Sequence, residues 1–272
     1  MKHITLCADD FAQSIRISEG ILQLVTAGRL GAVSCMTDSP AWPEMAARLK
    51  AVPGHHQAGL HFNLTHNFNG THGSISHLLL DSLKNNLNPH VIRSFFIRQW
   101  DAFVKHYGQP PAFVDGHQHV HVLPVIRNIV LEETARRNPY AWVRLPETEF
   151  PSLKGLLIRG VATGFKHCLQ EAGLAFNRSF AGYRPFKASF DFAHFMRKTL
   201  ATSGDGTLVM CHPGLAEDDP EDPIASSRQG ELDYLGSGRF LLDLASAGVT
   251  QGGAMGGRPY PHTVQSHCPS PV

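Results

Sequence analysis

Short apolar runs, each ending on polar residues and each followed by a segment of helical periodicity, constrain this chain more than any other feature. Residues 3–8 form such a run and stop at Asp9-Asp10. Ser14 then stands where a helix cap is expected, ahead of Ile15, Ile17, Ile21, Leu22 and Val25 at near-helical spacing as far as Gly28. Residues 31–36 read as a second strand, and residues 42–50 as a helix that Pro53-Gly54 breaks. A third strand over 57–64 carries His61 and Asn63. Val91, Phe95, Phe96, Trp100, Phe103 and Val104 give a helix over 89–107 its core face. A strand beginning at residues 112–114, a helix over 123–137 with Pro124 in its first turn, and strands at 142–145 and 208–211 follow.

Strands that alternate with helices predict a parallel α/β fold, with the strands side by side and the helices outside. Asp9, Asp10, His61, Asp115, Arg144 and His212 all fall where predicted strands end. In a (β/α) barrel those ends converge on one mouth. No repeat and no linker divides the chain, so one barrel domain is expected over residues 1–250. Residues 251–272, rich in Gly, Pro, His and Ser, read as a poorly ordered tail. Lys and Arg total 24 against 23 Asp and Glu, a formal net charge of +1, which argues against a nucleic-acid partner. No apolar stretch approaches the ~20 residues of a membrane span. Five scattered cysteines without a CxxC pair, and no signal-peptide pattern, make the cytoplasm the expected compartment, with the three Asn-x-Ser/Thr sites as chance matches.

The chain carries 17 histidines, the side chain most used as metal ligand and acid/base. They are densest in Asp115-Gly116-His117-Gln118-His119-Val120-His121. If the strand continues, alternation places Asp115, His117, His119 and His121 on one face, and burying four such groups is costly unless they are coordinated or hydrogen-bonded. An exposed histidine cluster on an edge strand is the plainer alternative. Alternate strand residues lie ~7 Å apart, so one direct metal ligand is expected here, the other imidazoles backing it or facing substrate. Asp9-Asp10 fits either a solvated turn or a division of labour, one carboxylate on a metal and the other beside its water. His61 alone fits a satisfied core histidine as well as a ligand. Arg144 fits an orienting partner for Asp9, a substrate contact or a surface ion pair, and Trp42, Phe62 and Phe68 fit core packing as well as sugar stacking. Cys211 and His212 would face opposite ways on a strand, which excludes a thiol–imidazole pair. No phosphate-binding glycine motif occurs.

The segments Ala8-Asp9-Asp10-Phe11, Gly59-Leu60-His61-Phe62-Asn63-Leu64-Thr65, residues 115–121 and Cys211-His212-Pro213-Gly214, in this order and spacing, resemble the YdjC-like carbohydrate deacetylases, the chitooligosaccharide and hopanoid-biosynthesis deacetylase type. Residues 226–232 resemble that family's closing segment. The resemblance implies a distorted TIM-like (β/α) barrel related to polysaccharide deacetylases. It also implies a hydrolase that removes acetyl groups from N-acetylated sugars with one divalent metal, Zn or Mg. Asp10, His61 and His117 would hold the metal, Asp9 would be the general base and His212 the general acid. Asn63, Asp115, His119, His121 and Arg144 are expected to back these groups or face the substrate, an N-acetylated oligosaccharide or glycolipid. A homodimer is the oligomeric state the family suggests. Two His and one Asp leave coordination positions open, as catalytic metal sites do, for a water whose pKa the metal lowers. An amine leaves poorly unless protonated, hence an acid beside the base.

Two departures stand out. Ala12 occupies a position where the family usually has glycine, and a methyl group is uncomfortable there if φ is positive. The family usually finishes on a short apolar strand, whereas this chain runs from Ala247-Gly248-Val249 into its glycine-rich tail, so a barrel of fewer strands is expected. Residues 65–76 and 176–192 are expected to shape the pocket. The competing readings are another metallohydrolase on a similar barrel, an amidohydrolase or phosphoesterase, and a non-catalytic carbohydrate-binding barrel. Amidohydrolases usually carry His-x-His near the first strand, where this chain has Asp-Asp.

Overall fold

The computed structural model describes residues 2–68, 73–147, 164–217, 219 and 221–252. Its strands are β1 (Lys2–Phe11), β2 (Ala32–Cys35), β3 (Gln57–Phe62), β4 (Phe113–Gly116), β5 (Trp142–Val143), β6 (Ala175–Phe176), β7 (Ser179–Ala181), β8 (Thr207–Cys211) and β9 (Val249–Gln251). Between them lie α1 (Ile15–Thr26), α2 (Trp42–Ala51), α3 (Ile75–Leu83), α4 (Pro89–Tyr107), α5 (Ile126–Arg137), α6 (Phe165–Glu171), α7 (Phe192–Thr202), α8 (Ala225–Gly236) and α9 (Gly238–Ser246). Every strand pair is parallel, in the order β6-β5-β4-β3-β2-β1-β8-β7. The two ends of that path are consecutive in the chain. β6 pairs with β5 and β7 with β8, and only Asn177 and Arg178 separate them. One bent stretch of chain therefore joins both edges of the curled sheet, and the result is a distorted (β/α) barrel. Asn177 holds the bend, accepting from Leu145 N (2.7 Å) and donating to the Leu145 carbonyl (2.8 Å).

The alternation along each strand separates two cores. Outward residues such as Leu6, Val33, Leu60, Val114, Val143 and Val209 pack under the helices. Inward ones fill the barrel: Cys7, Ala32, Phe113, Trp142, Phe180, Leu208 and Met210. Phe113 and Trp142 stack with centroids 4.2 Å apart. Gly59 faces them, and a Cβ there would stand 2.5 Å from the Phe113 ring, so this strand contributes room where its neighbours contribute bulk.

Ser14 caps α1 by accepting from Ile17 N (3.1 Å), and α4 covers the expected 89–107, bounded by Asn88 and the left-handed Gly108. Two expectations are corrected. The strand carrying Asp115 does not run on through the histidines. It stops at Gly116, and the chain turns through a 3₁₀ segment (His117–Val122) in which Gln118 and His119 take left-handed φ of 52° and 60°. The four side chains thus do not share a face. Among the described residues a short strand also does follow α9: β9 pairs with Lys2–Ile4 of β1. Trp42 and Phe62 are core residues. The expected tail falls, from residue 253 on, outside the described residues.

Candidate active site

Two residues beyond the level of the apolar plug, six of the strands turn a polar group inward. Cys7 is followed by Asp9, Ala32 by Ser34, Gly59 by His61, Phe113 by Asp115, Trp142 by Arg144 and Met210 by His212. Register does the rest. His61 lies opposite Asp115 across β3 and β4, and the Ala8–Cys211 pairing of β1 with β8 brings Asp9 next to His212. The polar layer therefore caps the C-terminal end of the barrel, where (β/α) barrels place their chemistry.

A bulge makes the Asp9-Asp10 pair unusual. The β1–β2 register shifts between Ala8 and Phe11, and Asp10 takes φ 66°. Such a bulge re-aims a side chain, at the cost of strained backbone. Asp9 turns into the barrel, where Arg144 grips it with both nitrogens, Nη1 to Oδ2 and Nη2 to Oδ1, each 2.6 Å. Asp10 turns to the mouth, its Oδ1 standing 3.0 Å from His117 Nδ1 and 3.4 Å from His61 Nε2. Ala12 has φ 72°, so the methyl group sits in the conformation that favours glycine. Ser18 Oγ accepts from Ala12 N (2.9 Å) and helps to hold it there.

Asp10, His61 and His117 present donor atoms that all lie within 4.8 Å of one another. Asp115 Oδ1 accepts from His61 Nδ1 (2.6 Å) and from Ser34 Oγ (2.5 Å), which fixes the ring with Nε2 facing Asp10. A carboxylate behind an imidazole is the usual support of a histidine that ligates a metal. Burial opposes charge on His61, yet Asp115, Asp10 and Asp9 push its pKa up to about 10. The spot thus favours positive charge, and one carboxylate oxygen with two imidazole nitrogens is a donor set suited to Zn and to neighbouring divalent ions. The residues fit a cation. Cys7, Asp9 and Asp115 also converge, but the Arg144 guanidinium already stands among them, 3.2 Å from Cys7 Sγ and 2.5 Å from Asp115 Oδ2.

His212 Nε2 is 3.9 Å from Asp9 Oδ2. Burial, against the pull of Asp10, holds the imidazole well below its usual pKa, and Phe186 packs edge-on at 5.1 Å. Burial likewise pushes the Asp9 carboxyl up, against Arg144. For Asp10, burial is outweighed by Arg228 and His117, and the pKa falls well below the carboxylate range.

The other expected residues lie behind this layer. His121 Nε2 donates to the Arg144 carbonyl (2.9 Å), and burial lowers its pKa to about 4. His119 packs edge-on against Phe180 and Tyr183. Asn63 is fully buried and organises its own loop: Oδ1 accepts from Thr65 N and His66 N, and Nδ2 donates to Asp38 and the His66 carbonyl. Its amide is spent inside the protein, so of the two roles expected of Asn63 the geometry fits the supporting one. Of the two segments expected to shape the pocket, His66 and Phe186 pack beside His117 and His212.

The structure adds residues to which the sequence reading gave no role. Arg228 Nη2 donates to Asp10 Oδ2 (2.8 Å), and one helical turn on, Glu231 Oε2 accepts from His212 N (2.7 Å) while its other oxygen pairs with Arg184. Arg184 is itself enclosed by the rings of Phe186, Phe192 and Phe195. The i, i+3 spacing of Arg228 and Glu231 was the signal available, since it puts both on one face of α8.

The family model for YdjC-like proteins matches residues 3–246. The chain belongs to the YdjC-like family. It is 29% identical over 138 residues to the chitooligosaccharide deacetylase of Serratia marcescens, covering 47% of this chain and 54% of that protein. A mouse carbohydrate deacetylase is 31% identical over 150 residues, covering 47% and 46%. The chain thus spans about half the length of these two relatives. A human carbohydrate deacetylase is 26% identical over 293 residues, covering 90% and 88%. Among solved structures, an Enterococcus faecalis protein provisionally assigned to cellobiose-phosphate cleavage superposes with a TM-score of 0.68 at 16% identity, covering 93% of this chain and 97% of that one. That likeness is one of fold alone.

Proposed function

We propose that this YdjC-like protein is a metal-dependent deacetylase of N-acetylated sugars. The observation that carries the reading is the pairing of a three-donor cation site, Asp10, His61 and His117, with a carboxylate and an imidazole beside it that are not part of that site. The relatives named as deacetylases of chitooligosaccharides and carbohydrates supply the substrate class.

Asp10 Oδ1, His61 Nε2 and His117 Nδ1 would hold the ion. Bound there, a divalent ion acidifies water and polarises the acetamide carbonyl. The remaining work falls to the protein's own groups. Asp9 accepts the proton of the attacking water, and Arg144 keeps that carboxylate aimed while opposing its protonation between turnovers. His212 Nε2 delivers a proton to the leaving nitrogen. Since burial keeps this imidazole neutral at rest, its proton is the one that Asp9 takes up, and the 3.9 Å between the two groups is short enough for one bridging atom of water or substrate. Asp115 and Ser34 hold His61 in the tautomer that ligation requires. Among the described residues no helix is long and apolar enough to cross a membrane. A cytoplasmic enzyme that meets soluble acetylated oligosaccharides is the setting we favour.

The test is acetate release from di-N-acetylchitobiose by metal-stripped protein, with Zn, Mg, Mn, Co or Ni restored singly. Release that returns with a metal and disappears in Asp9→Asn supports the reading. Metal binding without release from this or any N-acetylated glycolipid points to a different amide or ester. Absence of metal binding overturns it.

A further inference from the structure

Asp10 has two oxygens, and they live in different surroundings. Oδ1 looks out at His117 and His61, at 3.0 and 3.4 Å. Oδ2 looks back at Arg228, whose Nη2 donates to it at 2.8 Å. Asp222 clips Arg228 in place: Nε donates to its Oδ2 at 2.5 Å, and Nη2, the nitrogen that also meets Asp10, donates to its Oδ1 at 3.1 Å. All three charges are buried, with Arg228 2% and Asp222 6% exposed. A buried arginine held between two carboxylates has a fixed geometry and a poorly screened charge.

We infer that Arg228 is a positioning residue that reserves one oxygen of Asp10 for the metal, and that the Arg228–Asp222 pair sets the affinity of the site. This rests on reading Asp10, His61 and His117 as the metal site, and takes it one step further. Left to itself, a carboxylate beside a divalent ion can bind through either oxygen or both. With Oδ2 occupied by a guanidinium, Asp10 offers Oδ1 alone. The cationic side chain also withdraws charge from the ligand and repels the incoming ion, so it loosens binding while keeping the coordination number low and positions open for water and substrate. Asp222 offsets part of that repulsion. Arginine and aspartate therefore act on the metal with opposite signs.

Those signs give a test that needs no substrate. Cobalt(II) titration of the metal-stripped full-length protein, followed by visible absorption, reads affinity from the saturation curve and coordination from the band intensity. Arg228→Met should tighten cobalt binding by about tenfold or more and weaken the absorption bands, because Asp10 becomes free to bind through both oxygens. Asp222→Asn keeps the arginine but removes its counter-charge, and should weaken cobalt binding by about three- to tenfold with the bands unchanged. Arg228→Lys should fall between the unaltered protein and Arg228→Met. If Arg228→Met and Asp222→Asn both weaken binding, or neither changes it, the arginine is only a structural tie and the inference fails. Asp222→Asn decides the sign by itself if Arg228→Met does not fold. No cobalt binding by the unaltered protein would instead overturn the metal reading beneath it.

Discussion

The inside of the barrel has two layers, built by the same strands one pleat apart. The lower layer is Cys7, Ala32, Phe113, Trp142, Phe180, Leu208 and Met210, a dry plug with a stacked aromatic pair at its centre. The upper layer is Asp9, Ser34, His61, Asp115, Arg144 and His212, buried almost as deeply but polar. The lower layer gains by excluding water, and each of its members can be replaced by something of similar shape. The members of the upper layer, His212 apart, are each held by a named side-chain partner, so a replacement there leaves a charge or a donor stranded. Depth of burial therefore says little here about what a residue does. Its position along the strand, before or after that last pleat, says a good deal.

The contrast can be sharpened by substitution. Phe113→Ala empties the centre of the plug and should cost about 3–5 kcal/mol of stability, read by denaturant unfolding. The surviving folded protein should keep its metal affinity. A loss of metal binding at temperatures where it is still folded would show that the layers are not separable. Asp9→Asn should act on both counts. It should lower acetate release by about a thousandfold, within the usual range for a general base, and also lower the thermal midpoint, because Arg144 loses a buried counter-charge. Acetate release that stays near normal in protein that is still folded would mean that the Asp9–Arg144 pair serves only to hold the barrel.

The next effect is smaller and of opposite sign. Ala12 sits at φ 72°, where an L-residue is strained, so Ala12→Gly should stabilise the protein by about 0.5–1 kcal/mol. Destabilisation would show that the methyl group packs well enough to offset the strain.

The smallest effect lies outside both layers, on α5, and serves as a control. Burial would raise the pKa of Glu133, but Arg136, Arg93 and Arg137 outweigh it and lower it. A carboxylate with a lowered folded pKa adds stability above its ordinary pKa and loses it as the pH falls through the folded value. Glu133→Gln should therefore flatten the acid limb of the stability–pH curve, below about pH 4.5, and leave the pH dependence of activity unchanged.

Much of this could be read from the chain, because strand ends are local signals. The polar residues after each apolar run lie at the mouth, and Asp10, His61 and His117 meet there although 107 residues separate the first from the last. The histidine run misled for a physical reason. Strict alternation assumes extended backbone, and two left-handed residues in succession, Gln118 and His119, carry the chain out of the sheet and send His119 and His121 behind the site. Helical spacing puts Arg228 and Glu231 on one face, but their roles are not legible in the sequence, because Arg228 meets Asp10 across 218 residues and Glu231 meets Arg184 across 47. The three residues of β9 are a strand only because the start of β1 is there to pair with them.

The place of β1 in the sheet also bears on how the protein is made. Its central stretch pairs with β8, so Cys7 meets Cys211 across 204 residues, and Asp10 waits 218 residues for Arg228. At about 5–20 residues per second, a ribosome needs roughly 10–40 s to synthesise that interval. For all that time the first strand has a neighbour on one side only, and the two aspartates have neither His212 nor Arg228 beside them. A nascent chain of this kind holds an unfinished sheet edge, a natural customer for a chaperone. Activity would arrive late and all at once, when the far end of the chain comes back to the beginning.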